Sequence, residues 1–463
     1  MPNTENIIID IPPDVRFVLD TIRTAGYEAY IVGGCVRDAI LGRVPEDWDI
    51  ATSALPHAVK SLFRSTVDTG VQHGTVMVLR GGKGYEVTTY RVDGQYKDGR
   101  HPESVEFVPS LEEDLKRRDF TVNAFAYSPE RGIIDLFGGM NDLKEGVVRA
   151  VGDPRQRFEE DALRIMRAIR FAAQLSFKLE KKTEESIAEF ASKLAMVSAE
   201  RIRVEFEKTL FSANPNYVNE FAKLGLGPYI VYEFADRCFC KDKEALYGRT
   251  CGDIPAGAQL GIQHDTCPDT QLGTQPVMQQ DAQSAAWTVT FTEQERRYLR
   301  LAVFFMGIKP EECRVLMRKM TFDNRSRDIV SGILENQDIP LASDIIQIKR
   351  QLNTLGPELL RLIAGFRQIT GKAPASGNAD TEPAQEISDV LDAISMVLEG
   401  GEAYSVSMLS ISGADLIEIG VPQGPQVGKI LEDILNKVII NPQLNKKDIL
   451  MEFAGSMAAG LKV

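Results

Sequence analysis

The pattern of apolar and polar positions changes partway along the chain. In the first part, short apolar runs such as 29–32 and 76–79 alternate with glycine turns and short amphipathic segments, which predicts strands and helices in a mixed sheet. After about Phe137, the apolar positions recur mainly every three or four residues, the spacing of amphipathic helices. The fold class predicted from this order is an α+β head followed by all-α segments.

One stretch of the head places a glycine turn between a strand and a helix. Residues 29–32 are predicted to form a strand that stops at Gly33-Gly34, and residues 36–41 have helical spacing up to Gly42. Glycines at such a turn let the backbone approach a ligand closely, and a helix start offers unpaired N–H groups to an anion. The turn therefore predicts a phosphate-binding site.

Two aspartates follow this turn. Asp47 and Asp49 are separated by one apolar residue, so on a strand both carboxylates point to one face. Mg²⁺ prefers carboxylates together with substrate phosphates, and two carboxylates can hold two ions for an in-line displacement. An Asp-x-Asp pair alone is more often a solvated strand face, but the preceding glycine turn favours the metal site.

The residues of this stretch carry a family resemblance. Residues 33–52, GGCVRDAILGRVPEDWDIAT, resemble the active-site signature of the nucleotidyltransferase superfamily that includes polymerase β. The most similar form is that of the class II tRNA nucleotidyltransferases, which comprise the CCA-adding enzymes and their poly(A) polymerase relatives. The resemblance implies that Asp47 and Asp49 bind the catalytic Mg²⁺ ions, and that Gly33, Gly34 and Arg37 serve the triphosphate.

A later hairpin supplies a candidate for a third carboxylate. The glycine-rich turn 81–84 is followed by a predicted strand, 85–91, that carries Glu86. Superfamily members use a third carboxylate from a later strand, so the resemblance makes Glu86 a catalytic candidate, whereas an ordinary exposed strand charge is the alternative. The poorly periodic residues 92–108 resemble the flexible loop that CCA- and A-adding members have and CC-adding members lack in intact form. A solvated hairpin tip fits their composition equally well.

A second motif lies in residues 111–127, LEEDLKRRDFTVNAFAY. Asp119 stands at the N-cap position of a predicted helix whose apolar residues Val122, Phe125 and Ala126 would face inward. A carboxylate beside guanidinium groups can also accept from a ribose hydroxyl while the arginines hold phosphate. The string resembles the family's second motif, which implies that Arg118 and Asp119 bind the nucleotide, with Asn123 as a further candidate.

A third motif lies in residues 153–171, where helical spacing predicts that Asp161 and Arg164 share one helix face. Such pairs are usually surface ion pairs, but the stretch resembles the family's Glu-Asp-x-x-Arg motif. A carboxylate only accepts and a guanidinium only donates, so the pair fits the amino group and bare ring nitrogen of cytosine or adenine. Uracil and guanine instead present a carbonyl oxygen next to a protonated ring nitrogen, which the pair does not fit. Arg167 and Arg170 are further nucleotide-binding candidates, and residues 198–206 resemble a motif that braces this helix.

Composition and charge set limits on the class of protein. The 463 residues carry a net charge of −13, which by itself argues against a polyanionic partner, but a locally basic groove can still bind RNA. No apolar run reaches the about eighteen residues of a membrane span, and no basic segment precedes the first isoleucines, so a cytoplasmic protein without membrane contact is expected. The basic residues cluster at Lys116–Arg118, at Arg155, Arg157, Arg164, Arg167 and Arg170, at Arg296, Arg297 and Arg300, and at Arg314, Arg318, Lys319, Arg325 and Arg327.

One region interrupts the helical pattern. Residues 238–287 are rich in Gly, Gln, Asp and Thr with little periodicity, which predicts an insertion or long loop. It contains Cys238, Cys240, Cys251, Cys267 and His264, but these spacings lack the Cys-x-x-Cys pairs typical of zinc sites. No His-Asp pair of a metal phosphohydrolase is found, so no phosphatase activity is expected.

The resemblance covers nearly the whole chain except this insertion. It predicts a nucleotidyltransferase head (1–140), a neck with base-recognition helices (141–215), a helical body (216–370), a linker (371–385) and a tRNA-binding helical tail (386–463). It implies template-independent addition of CCA to the tRNA 3′ end from CTP and ATP by two-metal catalysis. An A-adding or CC-adding enzyme, a poly(A) polymerase and an inactive RNA-binding module remain alternatives. The sequence does not indicate an oligomeric state.

Overall fold

A computed structural model describes residues 7–93, 105–239, 243–249, 291–342, 344–371 and 383–460. Most of the predicted loop at 92–108, of the insertion at 238–287 and of the linker at 371–385 therefore lies outside the described residues. The same holds for Cys240, Cys251, His264 and Cys267.

A seven-stranded sheet forms the centre of the head. Its spatial order is β3-β4-β5-β2-β1-β8-β9, in which β2 and β5 are parallel and the other neighbours are antiparallel. Two further two-stranded ladders are β6 with β7 and β10 with β11. The strands are β1 (Ala29–Val32), β2 (Asp49–Thr52), β3 (Thr66–Gly70), β4 (Thr75–Arg80), β5 (Lys83–Thr89), β6 (Arg91–Asp93), β7 (Val105–Phe107), β8 (Phe125–Ser128), β9 (Gly132–Asp135), β10 (Val147–Val148) and β11 (Lys178–Leu179).

Thirteen described helices accompany or follow this sheet up to residue 249. In the first of them, Pro13 occupies the first turn and Val15, Val18, Leu19 and Ile22 form the buried face. They are α1 (Pro13–Thr24), α2 (Gly34–Ile40), α3 (Pro56–Leu62), α4 (Leu111–Lys116), α5 (Gly139–Glu145), α6 (Pro154–Glu160), α7 (Leu163–Leu175), α8 (Lys181–Phe190), α9 (Ala199–Leu210), α10 (Val218–Lys223), α11 (Gly227–Val231), α12 (Ala235–Cys238) and α13 (Glu244–Arg249).

From residue 291 onward, the described elements are α-helices and short 3₁₀ turns. The first helix begins with a capping box in which Thr292 and Glu295 satisfy each other's backbone N–H groups. The helices are α14 (Glu293–Phe305), α15 (Pro310–Lys319), α16 (Asn324–Asn336), α17 (Ile345–Leu355), α18 (Pro357–Thr370), α19 (Pro383–Gly400), α20 (Gly413–Glu418), α21 (Pro425–Ile440) and α22 (Lys447–Gly460).

The described residues divide into two compact units. The first contains residues up to Glu244 together with Lys319–Thr321, and the second contains residues 245–249, 291–318 and 322–460. In the first unit, Tyr30, Val32, Ala51, Tyr90, Leu115 and Ala126 form one apolar cluster on the sheet. In the second, α20, α21 and α22 share a cluster that includes Leu416, Ile434 and Leu450.

The predicted α+β head followed by helices is confirmed, with three local corrections. Residues 121–128 do not form a helix: Thr121–Asn123 is a 3₁₀ turn and Phe125–Ser128 is strand β8. All four β8 residues are buried and the strand pairs with β1 and β9, so tertiary pairing overrides the local helical spacing. The β10–β11 ladder is a small addition to the predicted helical neck.

The other two corrections concern aspartates. Strand β2 begins at Asp49, so Asp47 lies just before the strand rather than on it. Asp161 lies between α6 and α7 with extended backbone (φ −142°, ψ 104°), so it does not share a helix face with Arg164. Its side chain accepts a hydrogen bond from the Leu163 backbone N–H at 3.0 Å, and such local bonds favour a break before a helix over its continuation.

Within the described ranges, no helix combines the length and the apolarity that a membrane crossing needs.

Candidate active site

A cleft of about 830 Å³ in the first unit brings together the predicted site residues, with the exception of Glu86. Seven arginines and six acidic side chains line it, so the local charge differs from the net −13 of the chain. The lining residues are Gly33, Gly34, Cys35, Arg37, Asp38, Glu46, Asp47, Asp49, Arg117, Arg118, Asp119, Asn123, Asp161, Leu163, Arg164, Arg167, Arg170, Phe171 and Arg201.

The sheet register places the glycine turn beside the acidic residues. Val32, the last residue of β1, pairs with Asp49, the first residue of β2. The turn at Gly33, which follows the end of β1, therefore lies beside Asp49 at the start of β2. Gly33 has φ 83° and ψ −135°, a conformation that is open essentially only to glycine. A Cβ atom at this position would lie 2.8 Å from Nη1 of Arg118.

We expect Gly33→Ala to combine two effects. The backbone conformation alone should cost about 1–3 kcal/mol of stability, and the added methyl group should displace the Arg118 guanidinium. Gly42→Ala is the matched control, because Gly42 also has a positive φ (72°) but nothing lies within 4 Å of its added Cβ. Both variants should unfold at lower urea concentration, but only Gly33→Ala should weaken CTP binding measured by titration. Equal CTP affinity in the two variants would contradict the contact with Arg118.

Two carboxylates, Asp47 and Asp49, lie at one end of the cleft, and a third, Glu86, lies next to Asp49 in the sheet. Ile50 pairs with Val87 in the parallel β2–β5 ladder, so Asp49 and Glu86, one residue earlier on each strand, are neighbours. Burial and then the charges of Asp49 and Asp47 raise the pKa of Glu86. The pKa of Asp49 is also raised, chiefly because its carboxylate is partly desolvated; Arg118 opposes this rise and the charge of Asp47 adds to it. The carboxylates thus repel one another, which a bound cation would relieve.

This donor set fits a divalent ion that takes further ligands from a substrate. In the described part of the chain, no three His, Cys, Asp or Glu side chains lie close enough to enclose a metal ion by themselves. Mg²⁺ characteristically binds one or two carboxylates and completes its octahedron with water and phosphate oxygens. Asp47 and Asp49, both exposed to the cleft, are the residues that could hold it, with Glu86 beside them.

A chain of hydrogen bonds links two arginines of the cleft through Asp119 and Asn123. Arg167 donates to Oδ2 of Asp119 through Nε and Nη2, at 2.9 and 2.5 Å. Oδ1 of Asp119 accepts from the Phe120 N–H at 2.8 Å and from Nδ2 of Asn123 at 3.2 Å. Asn123 in turn accepts from Nη1 of Arg37 at 2.5 Å. Asn123 therefore connects the carboxylate of the second motif to the arginine that follows the glycine turn.

The Asp119 carboxylate is kept ionised by these contacts. Burial by itself would raise its pKa, but the charge and hydrogen bonds of Arg167 lower it well below the usual range, with further contributions from Arg164 and Asn123. An ionised carboxylate only accepts hydrogen bonds, so any hydroxyl that approaches Asp119 must donate to it.

Asp161 and Arg164 face the cleft, and each is held by a partner outside the predicted motif pair. Oδ2 of Asp161 accepts from Nη2 of Arg201 at 2.9 Å. Arg164, only 9% exposed, donates to Oε2 of Glu160 at 2.5 Å and to the backbone carbonyls of Arg157 and Arg117. These contacts hold both side chains in place at the cleft.

Sequence reasoning missed Glu160, Arg201 and Phe171 as individual residues of the site. Glu160 and Arg201 lie within stretches that resemble family motifs, so those motifs were the available signal. Phe171 occupies an ordinary apolar position of a helical pattern, and no feature of the sequence sets it apart.

Comparisons with known protein families divide the chain into three parts. The Poly A polymerase head domain matches residues 29–149. The "Probable RNA and SrmB- binding site of polymerase A" matches residues 176–238, and domain 2 of tRNA nucleotidyltransferases matches residues 289–454. The first of these matches contains the glycine turn, the three carboxylates, Asp119 and Asn123.

A relative and a solved structure extend the similarity to nearly the full length. A CCA-adding enzyme from Leuconostoc mesenteroides is 36% identical over 442 residues, which cover 95% of each chain. A CCA-adding enzyme from Lactiplantibacillus plantarum is 57% identical over 198 residues, which cover 43% of this chain and 49% of that protein. The crystal structure of the Bacillus stearothermophilus CCA-adding enzyme in complex with CTP is 30% identical, has a TM-score of 0.73 and covers 98% of this chain and 99% of the other. The chain therefore belongs to the family of CCA-adding enzymes.

Proposed function

We propose that this protein adds C, C and A to the 3′ end of tRNA, using CTP and ATP without a nucleic-acid template and releasing pyrophosphate at each step. The observation that carries the proposal is one cleft that contains a carboxylate cluster, several guanidinium groups and the Asp161–Arg164 pair. Full-length similarity to CCA-adding enzymes, one of them in complex with CTP, supports it.

The acidic end of the cleft is the proposed metal site. Family members generally use divalent metal ions, and we assign Mg²⁺ to Asp47 and Asp49, with Glu86 as the third carboxylate beside them. Bound there, Mg²⁺ ions would lower the pKa of the primer 3′-hydroxyl and neutralise charge on the triphosphate. Asp47 and Asp49 would supply the anionic oxygens that hold the ions at this end of the cleft, and the primer 3′-hydroxyl would attack the α-phosphorus of the bound nucleotide and displace pyrophosphate.

The guanidinium groups are the proposed binding site for the triphosphate and ribose. Gly33 and Gly34 let the backbone approach the phosphates, and Arg37 and Arg118 provide positive charge on either side of the turn. Asp119 accepts from the ribose hydroxyl, and the hydrogen bonds from Arg167 and Asn123 keep this carboxylate ionised. Arg167 and Arg170 extend the positive charge along α7.

The base is the proposed ligand of Asp161 and Arg164. Asp161 accepts from the amino group of cytosine or adenine and Arg164 donates to the neighbouring ring nitrogen. We also propose the domain boundaries that the sequence predicted for the head, neck, body, linker and tail. In this proposal, the tail contacts tRNA.

The metal assignment has a direct test. Protein stripped with EDTA and dialysed should show no CTP incorporation, and Mg²⁺ added back should restore it. Restoration by Mn²⁺ alone would contradict the choice of Mg²⁺, and full turnover in EDTA would contradict the metal site altogether.

The proposed function is tested with a tRNA transcript that lacks its 3′-terminal CCA. With Mg²⁺, CTP and ATP, the transcript should grow by three nucleotides and release one pyrophosphate for each. An RNA-binding module without catalytic activity would retard the transcript in a native gel but release no pyrophosphate, and that result would refute the proposal.

A further inference from the structure

A buried aromatic ring lies where the separate parts of the cleft meet. Phe171, in α7, is 6% exposed and lines the cleft. It packs edge-to-face against Phe120, with ring centroids 5.7 Å apart and an interplanar angle of 74°. Phe120 directly follows Asp119, so this contact joins α7 to the turn that carries the second motif.

Three guanidinium groups surround the Phe171 ring. The Cζ atoms of Arg170, Arg167 and Arg37 lie 3.9, 5.3 and 5.4 Å from the ring centroid. All three distances are within the about 6 Å over which a cation is attracted to an aromatic face. Arg37 belongs to α2, after the glycine turn, whereas Arg167 and Arg170 belong to α7, so one ring contacts the cations of two elements.

Each of these arginines also has a carboxylate partner. Arg37 pairs with Asp38 at 2.8 Å, Arg167 with Asp119 at 2.5 Å and Arg170 with Glu205 at 2.5 Å. These carboxylates belong to three different parts of the chain, namely α2, the segment after α4, and α9. The ring is therefore the contact that the three guanidinium groups share, although the cations themselves repel one another.

Burial disfavours the charged form of at least one of the three arginines. Arg170 is 8% exposed, and its burial lowers its pKa, an effect that the charge of Glu205 opposes. An aromatic face stabilises a desolvated cation more than an exposed one. An aliphatic side chain of similar size could fill the volume but would not attract the cations.

We propose that Phe171 is a positioning residue that holds Arg37, Arg167 and Arg170 in the cleft and thereby sets the affinity for the nucleoside triphosphate. The inference rests on the proposed function, because it assigns the three arginines to the triphosphate and ribose of CTP and ATP. It adds a residue whose contribution is made through the arginines and not through contact with the nucleotide.

The test compares three variants of the full chain. Phe171→Leu removes the aromatic face, Phe171→Tyr keeps it, and Phe158→Leu removes a fully buried ring of α6 that is not among the cleft-lining residues. For each variant, the dissociation constant of CTP is measured by equilibrium titration, and KM and kcat are measured for CTP incorporation into a tRNA transcript.

Phe171→Leu should raise the dissociation constant and the KM for CTP about five- to thirtyfold, which is the effect expected from losing two or three cation–π contacts. The kcat should stay within about twofold of the wild-type value. Phe171→Tyr should stay within about twofold of wild type, and Phe158→Leu should change the thermal midpoint without changing KM. Equal KM values for the leucine and tyrosine variants, or equal increases in Phe171→Leu and Phe158→Leu, would overturn the inference.

Failure of the proposed function would give a different result from failure of the inference about Phe171. If wild-type protein binds CTP but adds no nucleotide to tRNA, the proposed function fails while the titrations still decide the role of Phe171. If wild-type protein does not bind CTP, both proposals are overturned.

Discussion

Asp47→Ala is expected to reduce nucleotidyl transfer by about a thousandfold or more. Metal ions contribute several kcal/mol of transition-state stabilisation, and each 1.36 kcal/mol corresponds to a factor of ten in rate. Asp47 is exposed to the cleft and lies outside β2, so its removal should leave the fold intact. The measurement is single-turnover incorporation of CTP at saturating Mg²⁺, together with the thermal midpoint.

Asp68→Ala is a suitable control for this experiment. Asp68 lies on the edge strand β3 of the same sheet, where its 57% exposed side chain pairs with Lys60, and exposed pairs of this kind contribute little to stability. Its rate should match that of wild type. If Asp47→Ala retained more than about a tenth of the wild-type rate, the metal site would have to lie elsewhere.

The second large effect is expected on nucleotide choice. In wild type, UTP or GTP would place an acceptor against Asp161 and a donor against Arg164, and each buried unpaired group costs about 1–3 kcal/mol. One mismatch therefore corresponds to roughly ten- to a hundredfold discrimination. Asp161→Ala should reduce the preference for CTP over UTP by this amount, measured as the ratio of kcat/KM values.

The structure makes Asp161→Ala a cleaner experiment than Arg164→Ala. The side chains of Asp161 and Arg201 are 19% and 21% exposed, so water can solvate the Arg201 guanidinium after Asp161 is removed. Arg164→Ala would in addition remove a donor from Oε2 of Glu160 and from the backbone carbonyls of Arg157 and Arg117, which should destabilise the neck as well as relax selectivity. Thermal midpoints separate the two effects.

Glu159→Ala provides the matched control for nucleotide choice. Glu159 precedes Glu160 in α6, and its 65% exposed side chain pairs with Lys193. Its selectivity should equal that of wild type. Unchanged CTP/UTP and ATP/GTP ratios in both Asp161→Ala and Arg164→Ala would count against base selection by this pair.

The features that the sequence predicted best are local ones. The β1 strand, the Gly33-Gly34 turn and α2 follow from one short stretch, because apolar runs and glycines determine such elements nearly by themselves. The nearness of Glu86 to Asp49 followed from the hairpin and the family resemblance, and the parallel β2–β5 pairing agrees with it.

The features that the sequence missed depend on contacts that the spacing of apolar residues does not show. Residues 125–128 have helical spacing but pair with β1 and β9. Asp161 was expected on a helix, but its bond to Leu163 ends the regular spacing there. The Arg164 guanidinium contacts backbone carbonyls, including that of Arg117 at 2.9 Å. Because every residue has a backbone carbonyl, the sequence does not indicate which one accepts this hydrogen bond.

The most direct test of CCA addition uses three tRNA transcripts, ending before CCA, after C and after CC, with CTP and ATP supplied separately and together. The proposed function predicts that all three grow to CCA and stop, and that ATP alone extends only the transcript ending in CC. Addition of a single A to that transcript and no growth of the other two would identify an A-adding enzyme, and arrest after CC would identify a CC-adding enzyme. Long A tracts on any RNA would contradict the assignment of tRNA as the substrate.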